Sequence, residues 1–210
     1  LMGFGQSLIF EPIYQFLSTL FWFFGINGPA VTNTVFNPIH LALTAENLEA
    51  FKQGATLPNI FTGPFGDFFG NFGGGGSTLS LVFLMVFFGK SERMKKLGRL
   101  AIVPGIFGIN EMIIFGLPVV LNPLIVIPFI LTPIVSLLLT YAAENLNIIS
   151  NGYLVDPSFT PFFAQAYLSS FDWRNVIFTL VLVVISVFIY YPFFKIQEKN
   201  QILLDKNGVK

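Results

Sequence analysis

Ile102-Val103-Pro104-Gly105-Ile106-Phe107-Gly108-Ile109-Asn110-Glu111 is the stretch that decides how this chain folds. It lies in a run from Leu100 to Ala143 whose only charged residue is Glu111. An apolar run of that length reads as membrane helix, but Pro104, Gly105, Gly108, Gly116 and Pro118 interrupt its first half. Residues 100–121 therefore read as a re-entrant hairpin. Its arms, 100–109 and 112–121, would each be about 15 Å long as helix, half the hydrocarbon thickness. The tip, Asn110-Glu111, then falls near the midplane.

The flanking charge supports this reading. Lys90, Glu92, Arg93, Lys95, Lys96 and Arg99 precede the hairpin, and a second basic cluster follows Lys195. Clustered Lys and Arg mark the cytoplasmic side, so both segments belong there and an even number of crossings must separate them. Residues 122–143 and 175–194 supply two, so residues 100–121 enter and leave on one side. Residues 145–172 then lie on the far side, with Asp156-Pro157 in a turn.

Composition agrees with a membrane protein. Hydrophobic residues make up 54% of the chain and charged residues 10%, where a soluble domain carries about a quarter charged. Net charge is zero, so no global field points to nucleic acid. Cysteine is absent, which excludes disulfides and thiolate chemistry within this chain, and the single histidine, His40, excludes a His-rich metal site. The chain opens on Leu1 with no secretory leader pattern, which suggests a fragment of a longer polypeptide.

Working outward, Ile9–Ile26 reads as a further crossing that stops at Gly25-Ile26-Asn27-Gly28-Pro29. His40–Leu48 reads as an amphipathic helix opened by Asn37-Pro38. Residues 54–77 are broken by Gly63-Pro64 and Gly73-Gly74-Gly75-Gly76, but their phenylalanines argue for irregular backbone held within the protein. Residues 78–89 continue as an uncharged apolar stretch. The expected fold is an all-α membrane protein with about four transmembrane helices, re-entrant helical hairpins and an amphipathic helix.

Glu111 is the sharpest chemical signal. A midplane carboxylate costs several kcal/mol unless it is paired or faces water, and broken midplane helices are where transporters bind substrate. Satisfaction by helix-end N–H groups, serving the fold alone, is the plainer alternative. Neighbouring Asn110 can donate and accept hydrogen bonds to a sugar hydroxyl. Trp22 reads either as an interfacial anchor or as a stacking platform for a pyranose face. Gly73–Gly76 lacks the lysine of a phosphate-binding loop and serves either close packing or unwound backbone along a cavity. His40 reads as structural or interfacial, and the 90–99 run as a topogenic loop that could also dock a soluble partner.

Several stretches together resemble the C-terminal half of the membrane IIC component of the bacterial phosphotransferase system, lactose/cellobiose (diacetylchitobiose) branch. They are Phe21–Pro29, Asn37-Pro38, Phe61–Phe65, Gly73–Leu79, Ile102–Glu111, Ile114–Pro118, Leu121–Pro123, Asp172–Arg174 and Tyr190–Lys195. The resemblance runs nearly the whole chain, in order. It implies a multi-pass protein of the bacterial cytoplasmic membrane that binds a disaccharide outside and carries it inward, by an elevator-like movement. It further implies that a phosphorylated IIB partner, carrying the phospho-cysteine, phosphorylates the sugar, with no cofactor on this chain. Residues 1–196 would be the substrate-binding half and 197–210 a cytoplasmic tail. The half that makes a homodimer in the full-length protein would be missing.

By the same resemblance, Glu111 contacts the hydroxyl to be phosphorylated, and Asn27 holds the position of a residue that assists the reaction; Asn110, Trp22, Asn27, Gly28 and Gly75 are the further residues expected to bind the substrate. Asn27 stands where the family carries histidine, and asparagine cannot act as a base near neutral pH. An aromatic sugar contact is either missing or replaced by Phe159, since Ser158-Phe159-Thr160-Pro161 stands where the resemblance leads one to expect Trp-Thr-Thr-Pro. A sugar-binding sensor or uncoupled facilitator is the alternative reading that Asn27 raises.

Overall fold

A computed structural model describes residues 5–117, 119–155 and 160–206. Among these residues the regular structure is all helical. Helix α1 spans Phe10–Phe23 and α2 spans Gly28–Lys52. Helix α3 spans Gly63–Gly70 and α4 spans Leu79–Phe83, running on as a π turn through Phe88. Then follow α5 (Glu92–Ile106), α6 (Glu111–Gly116), α7 (Pro123–Asn145), α8 (Phe162–Leu168) and α9 (Trp173–Lys206).

Polar contacts at two opposite ends give the topology. At one end Glu198 accepts from the Lys90 and Ser91 N–H groups, Lys195 reaches the Phe88 carbonyl, and Asn122 donates to Gln197. At the other end Gln6 donates to Asn59, Asn47 donates to the carbonyls of Asn59 and Gly152, and Ser150, Asp172 and Arg174 bond one another. The two basic segments thus share one end, as the sequence requires, and residues 146–155 and 169–175 meet at the other. Between them α7 and α9 are the helices long and apolar enough to cross a membrane.

The chain from Gly63 to Phe88 makes the same passage in two pieces. Helix α3 starts at the Asn59 end, where Pro64 packs against Gly152, and α4 ends beside Lys90. The segment from Asn71 to Thr78 between them is unwound, with Gly73, Gly74 and Gly76 at φ +79°, +93° and +77°. Only glycine adopts this region freely. Ser80 donates to the Val183 carbonyl, which fixes the height of the break. Along α9, Val183 is about 15 Å from Trp173 and about 22 Å from Glu198 by helical rise. The break is therefore near mid-height. Residues 54–77, expected as irregular throughout, instead contain a packed half-helix.

Two hairpins enter this frame from opposite ends. Helices α5 and α6 come from the basic end, turn through Phe107–Asn110 with Gly108 at φ +81°, and return so that Gly116 abuts Leu97. This is the expected re-entrant hairpin with the expected tip, though its first arm starts earlier, at Glu92. Ser91 caps that arm by accepting from the Met94 N–H.

The second hairpin differs from expectation. Ile9–Ile26 is not a through-crossing. Helix α1 has 14 residues, about 21 Å, and α2 turns straight back along it, so Gln6 and Asn47 both meet Asn59. The helix expected over His40–Leu48 is the outer half of α2. A buried stripe at Thr32, Phe36, Ile39, His40, Leu43, Thr44 and Asn47 gives its amphipathic spacing. Gly28 allows the tight return, because a Cβ there would lie 1.9 Å from the Ser18 carbonyl oxygen.

Aromatic and aliphatic side chains fill the space between hairpins and crossings. Phe10, Tyr14, Phe36, Phe61 and Phe65 pack α1, α2 and α3 against Leu137 of α7. Trp22, Met85, Ile113, Ile114, Phe129, Tyr190 and Phe194 join the tip of α1 to the other hairpin and to α9. Outward-facing Ile177, Leu180, Val184 and Phe188 leave one side of α9 apolar and open, as a lipid-facing helix requires. The chain after Lys195 continues in helix α9 through Lys206.

Candidate functional site

The two hairpin tips and the unwound segment surround a cavity of about 580 Å³. Asn110 closes the α5–α6 tip onto the break. Its side chain donates to the buried Gly75 carbonyl at 2.8 Å instead of capping its own helix. Glu111, in the first turn of α6, is exposed to the cavity. A carboxylate at this height is thus accommodated by facing open space, one of the two conditions its cost demands.

From the opposite side come Trp22, at the end of α1, and Asn27, the N-cap of α2. The Asn27 carboxamide oxygen accepts from the Ala30 N–H at 3.1 Å, so the residue has a helix-initiating role as well as a place in the wall. Trp22 is 3% exposed, and its indole N–H has no protein acceptor. A buried unpaired donor is uncommon and costly. Gly75 packs directly against it, since a Cβ there would lie 2.9 Å from the indole nitrogen. The Trp22 ring meets Phe115 edge-on at 6.4 Å between centroids.

The glycine run serves packing and lining together. Gly74 and Gly75 line the cavity, and a Cβ on either would collide with Asn110 or with the Trp22 indole. Gly76 is pressed against the Phe129 ring, and its carbonyl accepts from the buried Tyr190 hydroxyl at 2.6 Å.

Five expected residues therefore converge: Trp22, Asn27, Gly75, Asn110 and Glu111. Gly28 does not line the cavity; it lets α1 and α2 touch. Phe159 lies outside the described residues, as does Asp156-Pro157. His40 sits behind the wall, buried and 2.5 Å from the Glu11 carboxylate.

Sequence reasoning missed much of the rest. Asn33, Asn37 and Leu41 form a ridge at four-residue spacing on α2, and Tyr14 donates to Asn33 at 2.8 Å across the hairpin. Asp67 and Asn71 come from α3 and its C-cap, and Gln165 from α8. The asparagine spacing on α2 was the available signal. Asp67 and Gln165 had none, since only tertiary folding brings them here. The described lining holds five asparagines, a glutamine and two carboxylates, with no Lys, Arg or His. Such a wall suits a neutral ligand rich in hydroxyl groups and repels an anion.

The family described as Phosphotransferase system, EIIC matches residues 2–133. The chain belongs to this EIIC family. Among its relatives, the oligo-beta-mannoside-specific EIIC component of Bacillus subtilis (strain 168) is 36% identical over 209 residues, covering 98% of this chain and 47% of the relative. The cellobiose-specific EIIC component of Geobacillus stearothermophilus is 41% identical over 202 residues, covering 94% and 45%. The lactose-specific EIICB component of Staphylococcus aureus (strain N315) is 36% identical over 209 residues, covering 98% and 35%. The crystal structure of the transporter ChbC, the IIC component from the N,N'-diacetylchitobiose-specific phosphotransferase system, matches with a TM-score of 0.94 and 38% identity. That match covers 100% of this chain and 49% of ChbC. The EIIC chain thus spans under half the length of these relatives.

Proposed function

We propose that this EIIC chain supplies the sugar-binding half of a disaccharide permease in the cell membrane, acting on a sugar of the cellobiose, lactose or chitobiose type. The wall between the two hairpin tips carries the reading: five asparagines, a glutamine and two carboxylates, with no cationic side chain among the described lining residues. Sugar hydroxyls both donate and accept, so carboxamides suit them. The volume falls within the roughly 300–1,000 Å³ of small-ligand sites. The names of the cellobiose-, lactose- and chitobiose-specific relatives point to the same ligand class.

In this reading Glu111 hydrogen-bonds the hydroxyl that becomes phosphorylated, and Asn110, held by Gly75, orients the helix that presents it. A IIB partner supplies the phosphoryl group; the EIICB designation of the lactose-specific relatives supports that pairing. Asn27 contributes hydrogen bonding but no proton transfer. The acidic wall binds the neutral sugar better than its phosphate ester, which favours release after transfer. A homodimer formed through another part of the full-length protein, and an elevator-like movement, belong to the same proposal.

Trp22 and Trp173 are the two tryptophans, and Trp173 is exposed at the start of α9. Trp173→Phe leaves Trp22 as sole reporter. Saturable change of its emission on titration with cellobiose or diacetylchitobiose supports the reading; flat titrations with both sugars refute it.

A further inference from the structure

A second cavity, about 650 Å³, opens at the basic end between the α4 terminus and the last turns of α9. Its rim carries Lys90, Lys195 and Lys199, and its floor is Phe88, Tyr191 and Leu203. Glu198 also borders it, but that carboxylate is already engaged by the Lys90 and Ser91 N–H groups and by Lys195. Lys195 is further held over the Tyr191 and Phe194 rings at 5.6 and 5.2 Å. The side chains of Lys90 and Lys199 are exposed, so the rim keeps a net positive charge.

From this geometry we infer that the cavity is a binding site for one anionic phospholipid of the cytoplasmic leaflet. Charge complementarity assigns the headgroup phosphate to the lysine rim. Continuity assigns the acyl chains. Phe88, Tyr191 and Leu203 are exposed apolar surface, and Tyr191 follows directly on the lipid-facing side of α9 that carries Val184 and Phe188. A soluble anion would meet the lysines but leave that floor exposed to water, whereas a phospholipid covers both. Basic pockets at the cytoplasmic ends of membrane helices hold anionic headgroups by the same physics. The site would tie the loop after α4 to α9 at the base of the broken crossing. This inference rests on the membrane-spanning reading alone and is independent of the sugar site.

The test is native mass spectrometry of the full chain, delipidated in detergent and titrated with dioctanoyl phosphatidylglycerol, dioctanoyl phosphatidylcholine or inorganic phosphate. The expected result is one saturable phosphatidylglycerol and little phosphatidylcholine or phosphate. Affinity should fall about fivefold for each of Lys90→Gln and Lys199→Gln. Lys199→Arg should keep it, and Lys52→Gln, at the opposite end, should leave it unchanged. Both glutamine changes are on exposed side chains, so the fold stays intact. Equal binding of both lipids, equal binding of free phosphate, or an unchanged affinity in the double variant would overturn the proposal. So would a double variant that keeps the lipid but loses binding to a phosphorylated IIB protein.

Discussion

Asn27 both caps α2 and faces the cavity, and the two roles separate by substitution. Asn27→Ala removes the acceptor for the Ala30 N–H and should lower stability by about 1 kcal/mol, read from thermal unfolding in detergent. Asn27→Asp keeps the cap and should restore stability. Asn110 is bound more deeply: Asn110→Ala leaves the buried Gly75 carbonyl without its donor and should cost about 1–3 kcal/mol. Sugar affinity should fall with it, because the tip then loses its anchor. Glu111 and Asn110 were legible in the sequence because a carboxylate and an amide interrupted a long apolar run. Tyr14, Asp67 and Gln165 were not, since nothing local distinguishes a cavity-facing polar residue from a solvated one. Trp22 stood between two readings, and its 3% exposure at the tip of α1 fits neither an interfacial anchor nor an open stacking face.

The elements depend on close backbone approach. At Gly76 the φ of +77° and the Phe129 ring, 2.2 Å from where a Cβ would sit, both exclude a side chain. Gly76→Ala should destabilise by about 1–3 kcal/mol or more, measured as a fall in unfolding midpoint. At the opposite end Ser150, Asp172 and Arg174 clip the loop after α7 to the start of α9. Partial burial pushes the Asp172 carboxyl up, but hydrogen bonds from Arg174 and Ser150 outweigh it and hold it down at about 2, below its ordinary 3.8. A depressed folded-state value contributes stability above the ordinary pKa and loses it as pH falls through the folded one. The stability gap between the unmodified chain and Asp172→Asn should therefore be level above about pH 5 and close progressively as pH falls toward 2. The α5–α6 hairpin was legible from its glycines and prolines together with charge parity. The α1–α2 hairpin was not. Its apolar length satisfied a crossing, and the return shows only in tertiary contacts such as Gly28 against Ser18 and Tyr14 to Asn33.

At the scale of the molecule, two hairpins from opposite ends meet a broken crossing at mid-height, and their shared wall is polar, acidic and concave. The charge segregation that fixes which ends lie together is a sequence property, so the topology between Lys90 and Glu198 was legible from it. The volume and chemistry of the wall arise only from assembly, when asparagines of α2, the α3 end and the α5–α6 tip converge. That wall makes a prediction of its own: the phosphate ester of a bound disaccharide should bind at least about tenfold more weakly than the sugar, because its charge faces Asp67 and Glu111. Competition calorimetry reads the difference, and equal affinities would count against the acidic wall. The central claim is tested most directly by equilibrium binding of radiolabelled cellobiose and diacetylchitobiose to the purified chain, beside Glu111→Gln. Saturable binding to at least one sugar, weakened roughly 10- to 100-fold in the variant by loss of a charged hydrogen bond, is the predicted result. Undiminished affinity in Glu111→Gln, or no saturable binding of either sugar by the unmodified chain, would contradict it.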